Sequence, residues 1–365
     1  MGLSVGIVGL PNVGKSTLFN ALTKKGAETA NYPFCTIDPS VGVVTVPDER
    51  VRKLSDFSKS KKTIPAIVEF VDIAGLVKGA STGEGLGNKF LSNIRECDAI
   101  GEVVRIFEDD NIIHVHNKVD PLSDIITINI ELIMADMQTV SKRIDNIARD
   151  VKRGDKQAAI EHAGLVKVMT VLEKETFASN AILDIEERLV IKQLSLLTLK
   201  PFLYILNKKA GAKNLDEMND ERYQKLIAFF NEHKYNYVTV DAKIEEELNE
   251  FDGAEKKSFA KELGVKGDGV DDLIVAAYDL LGLCTFFTTG QDETRAWTIK
   301  KMSTAPIAGM AIHTDFKDKF IRAEVINWRA LLEAGSYGAA REKGLVRIEG
   351  KEYVVQDGDV IEFKI

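Results

Sequence analysis

The stretch Gly9-Leu10-Pro11-Asn12-Val13-Gly14-Lys15-Ser16 constrains this chain more than any other. A glycine, four residues, then Gly-Lys-Ser is the spacing of a phosphate-binding loop. The glycines let backbone N–H groups turn inward around a β-phosphate, and the Lys15 ammonium reaches the β- and γ-phosphates. The Ser16 hydroxyl supplies a hard oxygen ligand for Mg2+. Flanks decide whether such a spacing carries meaning. Here Val5-Gly6-Ile7-Val8 reads as a buried parallel strand, and Thr17-Leu18-Phe19-Asn20-Ala21-Leu22 opens a helix whose N-terminal dipole favours an anion. Strand, loop and helix in that order predict a nucleotide site made by Asn12, Val13, Gly14, Lys15, Ser16 and Thr17.

The rest of such a site follows from chain order. Asp72-Ile73-Ala74-Gly75 ends a second apolar strand, Ile67–Val71. An aspartate there holds Mg2+, often through water, and the Gly75 N–H senses the γ-phosphate. Thr36, in a turn-rich loop between residues 28 and 47, is the natural second hydroxyl on the metal. Its neighbour Cys35 reads as a small, semi-buried residue. Gly75, Gly79, Gly83, Gly85 and Gly87 are more glycines than turns need, which suits a segment that orders on one nucleotide and releases on another. Leu76 stands where Ras-like enzymes carry a water-orienting glutamine, and it cannot do that work.

Residues 1–128 alternate strand and helix signals, the pattern of a parallel sheet wrapped by helices. From Ile130 onward, Ile133, Met137, Val140, Ile144, Ile147 and Val151 recur in steps of three and four, a coiled-coil seam. A helix from there would project roughly 35 Å at about 1.5 Å per residue. Lys152–Asp155 reads as a turn, and Ala158, Leu165, Val168 and Leu172 as a returning helix. Phe202–Asn207 resumes the sheet after Pro201. The expected division is therefore a nucleotide domain of 1–128 and 200–281, an inserted helical hairpin over 129–199, and a small, mostly β domain over 282–365. In that last part Arg295–Lys300 and Phe320–Ile326 read as strands and Val346–Val355 as a hairpin turning at Gly350.

Two segments compete to read the base. Asn117-Lys118-Val119-Asp120 fits the guanine-reading pattern Asn-Lys-x-Asp, but no fresh strand precedes it, so it reads as a decoy. Asn207-Lys208-Lys209-Ala210 stands at a strand's carboxyl end, where ligands bind in open α/β sheets. Ala210 replaces the carboxylate that would accept from guanine, so Asn207 and Lys208 are expected to face adenine.

Composition excludes other classes. A net charge of −8 over 365 residues argues against a coat for naked nucleic acid. A local basic run, from Lys142 to Lys156, remains. The sequence has no apolar run of membrane-spanning length and no signal-peptide pattern, and its 3 cysteines suggest a reducing compartment. The expectation is a cytoplasmic protein.

Residues 9–17, Asn31-Tyr32-Pro33-Phe34-Cys35-Thr36-Ile37, 72–81, 83–88, 111–115, 295–299 and 313–316 together resemble the YchF/Obg-like ATPase family along essentially the whole chain. The resemblance implies an α/β fold: a Ras-like P-loop NTPase domain with an inserted α-helical coiled coil and a C-terminal ubiquitin-like β-grasp (TGS) domain. It implies Mg2+-dependent ATP hydrolysis in preference to GTP, slow intrinsic turnover, and association with the ribosome through the coiled coil and TGS domain. The family shares the hydrophobic residue at Leu76, which makes His114 the leading candidate to position water beside Lys15 and Gly75. Asn12 is a candidate to hold K+ beside the phosphates, as in potassium-dependent relatives. This chain departs from the family at Ala210, where a glutamate is usual. Two alternatives stay open: a ribosome- or RNA-binding adaptor with mainly structural nucleotide, and an Obg-type GTPase.

Overall fold

The computed structural model describes residues 3–24, 40–73, 88–114, 118–251, 255, 259 and 269–365. Its first nine strands are β1 (Ser4–Val8), β2 (Val41–Thr45), β3 (Lys62–Ile64), β4 (Ile67–Asp72), β5 (Ala99–Arg105), β6 (Phe107–Glu108), β7 (Phe202–Asn207), β8 (Lys213–Asn214) and β9 (Asn236–Val240). Six of them form one sheet in the order β2-β4-β1-β5-β7-β9. All neighbours run parallel except β2, which is antiparallel to β4. β5 and β7 bury every residue, as strands covered on both faces must. The pairings Ile7↔Asp72, Val8↔Glu102 and Arg105↔Asn207 bring the carboxyl ends of β1, β4, β5 and β7 to one edge. Among the described residues no helix is long and apolar enough to cross a membrane.

Helices α1 (Lys15–Lys24), α2 (Glu49–Ser58) and α3 (Asn88–Glu96) come before the insertion. The next, α4 (Pro121–Lys152), starts earlier than the apolar stripe suggested, because Asp120 caps it and Pro121 occupies its first turn. Its 32 residues span about 48 Å at the usual rise. The first half covers the sheet through Ile125, Ile128 and Leu132. The second half pairs with α5 (Lys156–Leu172), burying Val140 and Ile147 against Leu165 and Val168. Of the expected seam, Ile130 is exposed instead. Arg143 grips the buried Glu161 across the pair at 2.5 and 2.9 Å, and α6 (Ile185–Lys192) closes the insertion behind a capping box of Asp184 and Glu187. The fully buried Asp136 then accepts from the N–H groups of Leu197 and Thr198 and from the Thr198 hydroxyl, at 2.7–2.9 Å, fastening the returning chain to the middle of α4.

Beyond the insertion lie α7 (Glu221–His233), α8 (Ala242–Leu248) and α9 (Gly269–Leu280). α1 and α9 pack on one face of the sheet, and α3, α4 and α7 on the other.

The C-terminal strands β10 (Leu283–Thr289), β11 (Glu293–Lys300), β12 (Arg322–Asn327), β13 (Arg347–Glu349) and β14 (Asp359–Lys364) make a second sheet in the order β13-β12-β14-β10-β11. The central pair β10 and β14 is parallel and the outer pairs are antiparallel, a β-grasp arrangement. β10 has no counterpart in the sequence reading. The expected hairpin over 346–355 does not form either. Residues 347–349 pair with β12, and Val354 bridges Thr304, so Gly350 turns the chain without joining two halves of a ladder. β3 adds itself to this sheet, parallel to β11, although it lies between strands of the first.

Candidate functional site

β1 delivers the chain to a loop that alternates backbone hands. Gly9, Asn12 and Gly14 have φ of 148°, 62° and 98°, the alternation that turns successive N–H groups toward an anion. The two glycines have no substitute. A Cβ on Gly9 would lie 2.5 Å from the Val103 carbonyl, and one on Gly14 would lie 2.2 Å from Asn207 Nδ2. Val13 is buried beneath the loop, Ser16 is exposed at the start of α1, and Thr17 is half-buried one residue on.

Lys15 Nζ donates to the Leu10 carbonyl at 2.5 Å. Burial pulls its pKa down from 10.5 to about 8, against the attraction of Asp72. Asp72, 8% exposed at the end of β4, is therefore within electrostatic reach of the lysine. A serine hydroxyl and a carboxylate are the oxygen donors Mg2+ takes when it also binds substrate phosphate and water. Among the described residues no group of three or more His, Cys, Asp or Glu could hold a metal without such a substrate. Thr36, Gly75, Leu76, Cys35 and Asn117 lie outside the described residues.

The carboxyl end of β7 does more for the loop than its sequence disclosed. The Asn207 amide donates to the Val13 carbonyl at 2.8 Å and its oxygen accepts from Ala242 N at 3.1 Å, so this buried side chain staples the phosphate loop to the β9–α8 connection. One amide hydrogen and one oxygen lone pair are thus spent on protein, and the residue also lines the cavity beside the loop. Lys208 N donates to the Val240 carbonyl, and its ammonium reaches Glu217 at 3.0 Å. Ala210 N donates to Asp241.

A cavity of about 350 Å³ opens beside the loop, lined by Asn12, Gly14, Thr17, Phe107, Ile112, Asn207, Lys208, Lys209, Ala242, Lys243 and Glu246. Phe107, Ile112 and the residues of α8 were not among the expected site residues. The positions of Phe107 and Ile112 are set by Arg105, 1% exposed, whose guanidinium donates to the carbonyls of Phe107, Ile112 and Asp109 at 2.9–3.3 Å and lies over the Phe107 ring. A buried arginine with that many backbone partners is a foldable signal only once the loop's path is known.

His114 ends the same loop. It is 4% exposed, and Nε2 lies 2.9 Å from Asp124 Oδ2 on α4. Asn12 Nδ2 donates to the Ile113 carbonyl at 3.0 Å, which ties the histidine loop to the phosphate loop. Asp120, the acid of the competing Asn-Lys-x-Asp pattern, accepts from Ser123 N as the cap of α4.

This geometry can now be set beside known proteins. Residues 4–142 match the family described as "50S ribosome-binding GTPase", and residues 283–365 the YchF-type GTPase C-terminal family, described as "Protein of unknown function (DUF933)". A Bacillus subtilis protein named "Ribosome-binding ATPase YchF" is 53% identical over 100% of this chain and 99% of its own length. An Escherichia coli O157:H7 protein of the same name is 49% identical over the same shares. The solved structure titled "Structure of the Schizosaccharomyces pombe YchF GTPase" superposes with a TM-score of 0.90 at 38% identity, covering 100% of this chain and 98% of the other. This chain belongs to the YchF family of P-loop nucleotide hydrolases.

Proposed function

We propose that the chain is a Mg2+-dependent molecular switch that hydrolyses ATP in preference to GTP and binds the ribosome. The names of the relatives divide between ATPase and GTPase, so the base pocket carries the choice. The observation that supports adenine is that position 210 offers only Ala210 N–H, already bonded to Asp241, where a guanine-reading loop needs an acceptor.

Ser16, Asp72 and Thr36 are the oxygens assigned to Mg2+, which when bound neutralises charge building on the phosphates. Asn12, Val13, Gly14, Lys15, Ser16 and Thr17 take the phosphates, and Lys208 flanks the base. Asn207 acts by holding the loop. Gly75 N–H meets the γ-phosphate. His114, oriented by Asp124, takes over from the missing glutamine in positioning water. Asn12, tied through its amide nitrogen to the Ile113 carbonyl, is the residue that would hold K+ beside the phosphates.

The division into a nucleotide unit (1–128 and 200–281), an inserted hairpin (129–199) and a TGS-type unit (282–365) is supported by the two sheets and the α4–α5 pair. Lys152, Arg153 and Lys156 are exposed at the hairpin turn and suit ribosomal phosphate, with the β-grasp unit as the second contact. Ribosomes as partner put the protein in the cytoplasm.

Phosphate release from ATP, with and without ribosomes, tests the reading in wild type and Lys15→Ala. Turnover lost in the variant supports it. Unchanged turnover in Lys15→Ala overturns it, and ribosome co-sedimentation indifferent to nucleotide would favour the adaptor.

A further inference from the structure

Glu102 is an acid in the middle of the first sheet. Side chains alternate along β5, so Ile100, Glu102 and Val104 face the same side, where Ile100 and Val104 pack with Ile125 and Ile128 of α4. Glu102 is 1% exposed, and its neighbours in register are Val8 of β1 and Tyr204 of β7. Among the described residues neither of its carboxyl oxygens has a hydrogen-bond partner. A buried polar group in that position is rare and calls for a reason in function or strain.

The groups around it form a polar seam beneath α4. Asp124, itself buried, lies close enough for its charge to act on Glu102, and it meets His114 Nε2 at 2.9 Å. Asn129, further along α4, donates to the Tyr204 hydroxyl at 3.4 Å. Arg105, on the same strand, is attracted by Asp124 but gives its hydrogen bonds to loop carbonyls. Burial first, and Asp124 second, push the Glu102 carboxyl well above the usual carboxylate range. Two carboxyls coupled in a dry interior do not both ionise, so one keeps a proton. The histidine decides which. A carboxylate that accepts from an imidazole is held in its charged form, and the proton falls to the carboxyl that no donor reaches.

We propose that Glu102 is a positioning residue for hydrolysis: it keeps its proton beneath α4, so that Asp124 alone carries the negative charge that orients His114. His114 then donates from Nε2 to Asp124, which leaves Nδ1 as the acceptor for the attacking water. Ionising Glu102 sets a second charge against Asp124, and the repulsion is relieved only when one of them moves. Glu102 is fixed in a central strand, so Asp124 moves and His114 loses its hold. This assignment rests on the reading of His114 as the residue that positions water.

The test follows ATP turnover by the full chain with Mg2+ between pH 7 and about pH 10. ATP is kept saturating, so that Lys15, which acts on binding, drops out. In wild type kcat should fall at the alkaline end, by up to about tenfold per pH unit once Glu102 ionises. In Glu102→Gln, neutral at every pH, it should stay level. Infrared spectra at neutral pH should show the C=O stretch of a protonated carboxyl that Glu102→Gln lacks. Should the amide variant fail to fold, Glu102→Met, of similar length and without N–H or O–H groups, must give the same level profile and the same missing band. Equal alkaline falls in wild type and variant, a level wild-type profile, or a band unchanged by the substitution overturns the proposal. His114→Ala separates the two readings. Slow turnover in it that no longer falls at the alkaline end supports the path through His114. Turnover as fast as wild type sinks the reading of His114 and the positioning role with it, whereas slow turnover with no Glu102 band sinks the role of Glu102 alone.

Discussion

Lys15 is a charged amine held where water is scarce, and that sets how the site responds to pH. Burial lowers its pKa to about 8, and Asp72 limits the fall. A triphosphate favours the charged form, so above pH 8 binding must take up a proton. ATP affinity should stay flat below pH 8 and decline above it, by up to about tenfold per unit. Titrations at pH 7, 8 and 9 check this, and a flat profile across all three would contradict it. Folding has the opposite slope. Between about 8 and the ordinary 10.5 the unfolded chain holds the extra proton, so this group adds stability to the free protein as pH rises. Asn207 gives a second prediction at this scale. Asn207→Ala strands the Val13 carbonyl and Ala242 N–H inside the protein, which should cost about 1–3 kcal/mol in urea unfolding. It should weaken ATP and GTP binding alike, since the side chain holds the phosphate loop that both nucleotides use. Selective loss of one nucleotide would show the opposite.

Among the elements, the root of α4 joins the hairpin to the nucleotide site. Asp124 on α4 holds His114, and about three turns further on Asp136 receives the returning chain. Burial raises the pKa of Asp136, while two backbone N–H groups and the Thr198 hydroxyl pull it down. Asp136→Ala removes these bonds together. The expected loss is roughly 1.5–3 kcal/mol, with hydrogen exchange rising first at residues 197–200. Uniform exchange along the chain would contradict the anchoring role. The elements also mark what could be read in advance. The phosphate loop, β1, β4 and β7 were legible because each couples an apolar run to a polar residue at its end. The start of α4 was hidden because Asn117–Asp120 imitates a base-reading loop, and its acid caps a helix instead. β10, Leu-Cys-Thr-Phe-Phe-Thr-Thr, alternates too little to announce itself. Asn207 was legible as a site residue but not as a staple, since its partners Val13 and Ala242 are distant in sequence. The lining by Phe107 and Ile112 depends on Arg105 folding a loop, and no local pattern encodes that.

The whole molecule is held as one body by features that belong to both sheets. β3 leaves the strands flanking the nucleotide loops to edge the β-grasp sheet. α2, just before it in the chain, has Val51 and Leu54 in the same apolar cluster as Phe287 and Val360. Arg50 bonds Asp48 and Asp357 and lies over the Phe287 ring, while Asp357 accepts from Thr285 N. Arg50→Ala should let the C-terminal sheet loosen on its own, splitting a single urea transition into two. One unchanged transition would show that β3 and the shared core suffice. All of this depends on which triphosphate the cradle prefers. A competition titration of ATP against GTP on the intact chain with Mg2+, repeated with Lys15→Ala, measures it directly. The account predicts that ATP displaces GTP at lower concentration and that neither binds the variant appreciably. GTP binding more tightly than ATP, or both binding Lys15→Ala as well as wild type, would contradict it.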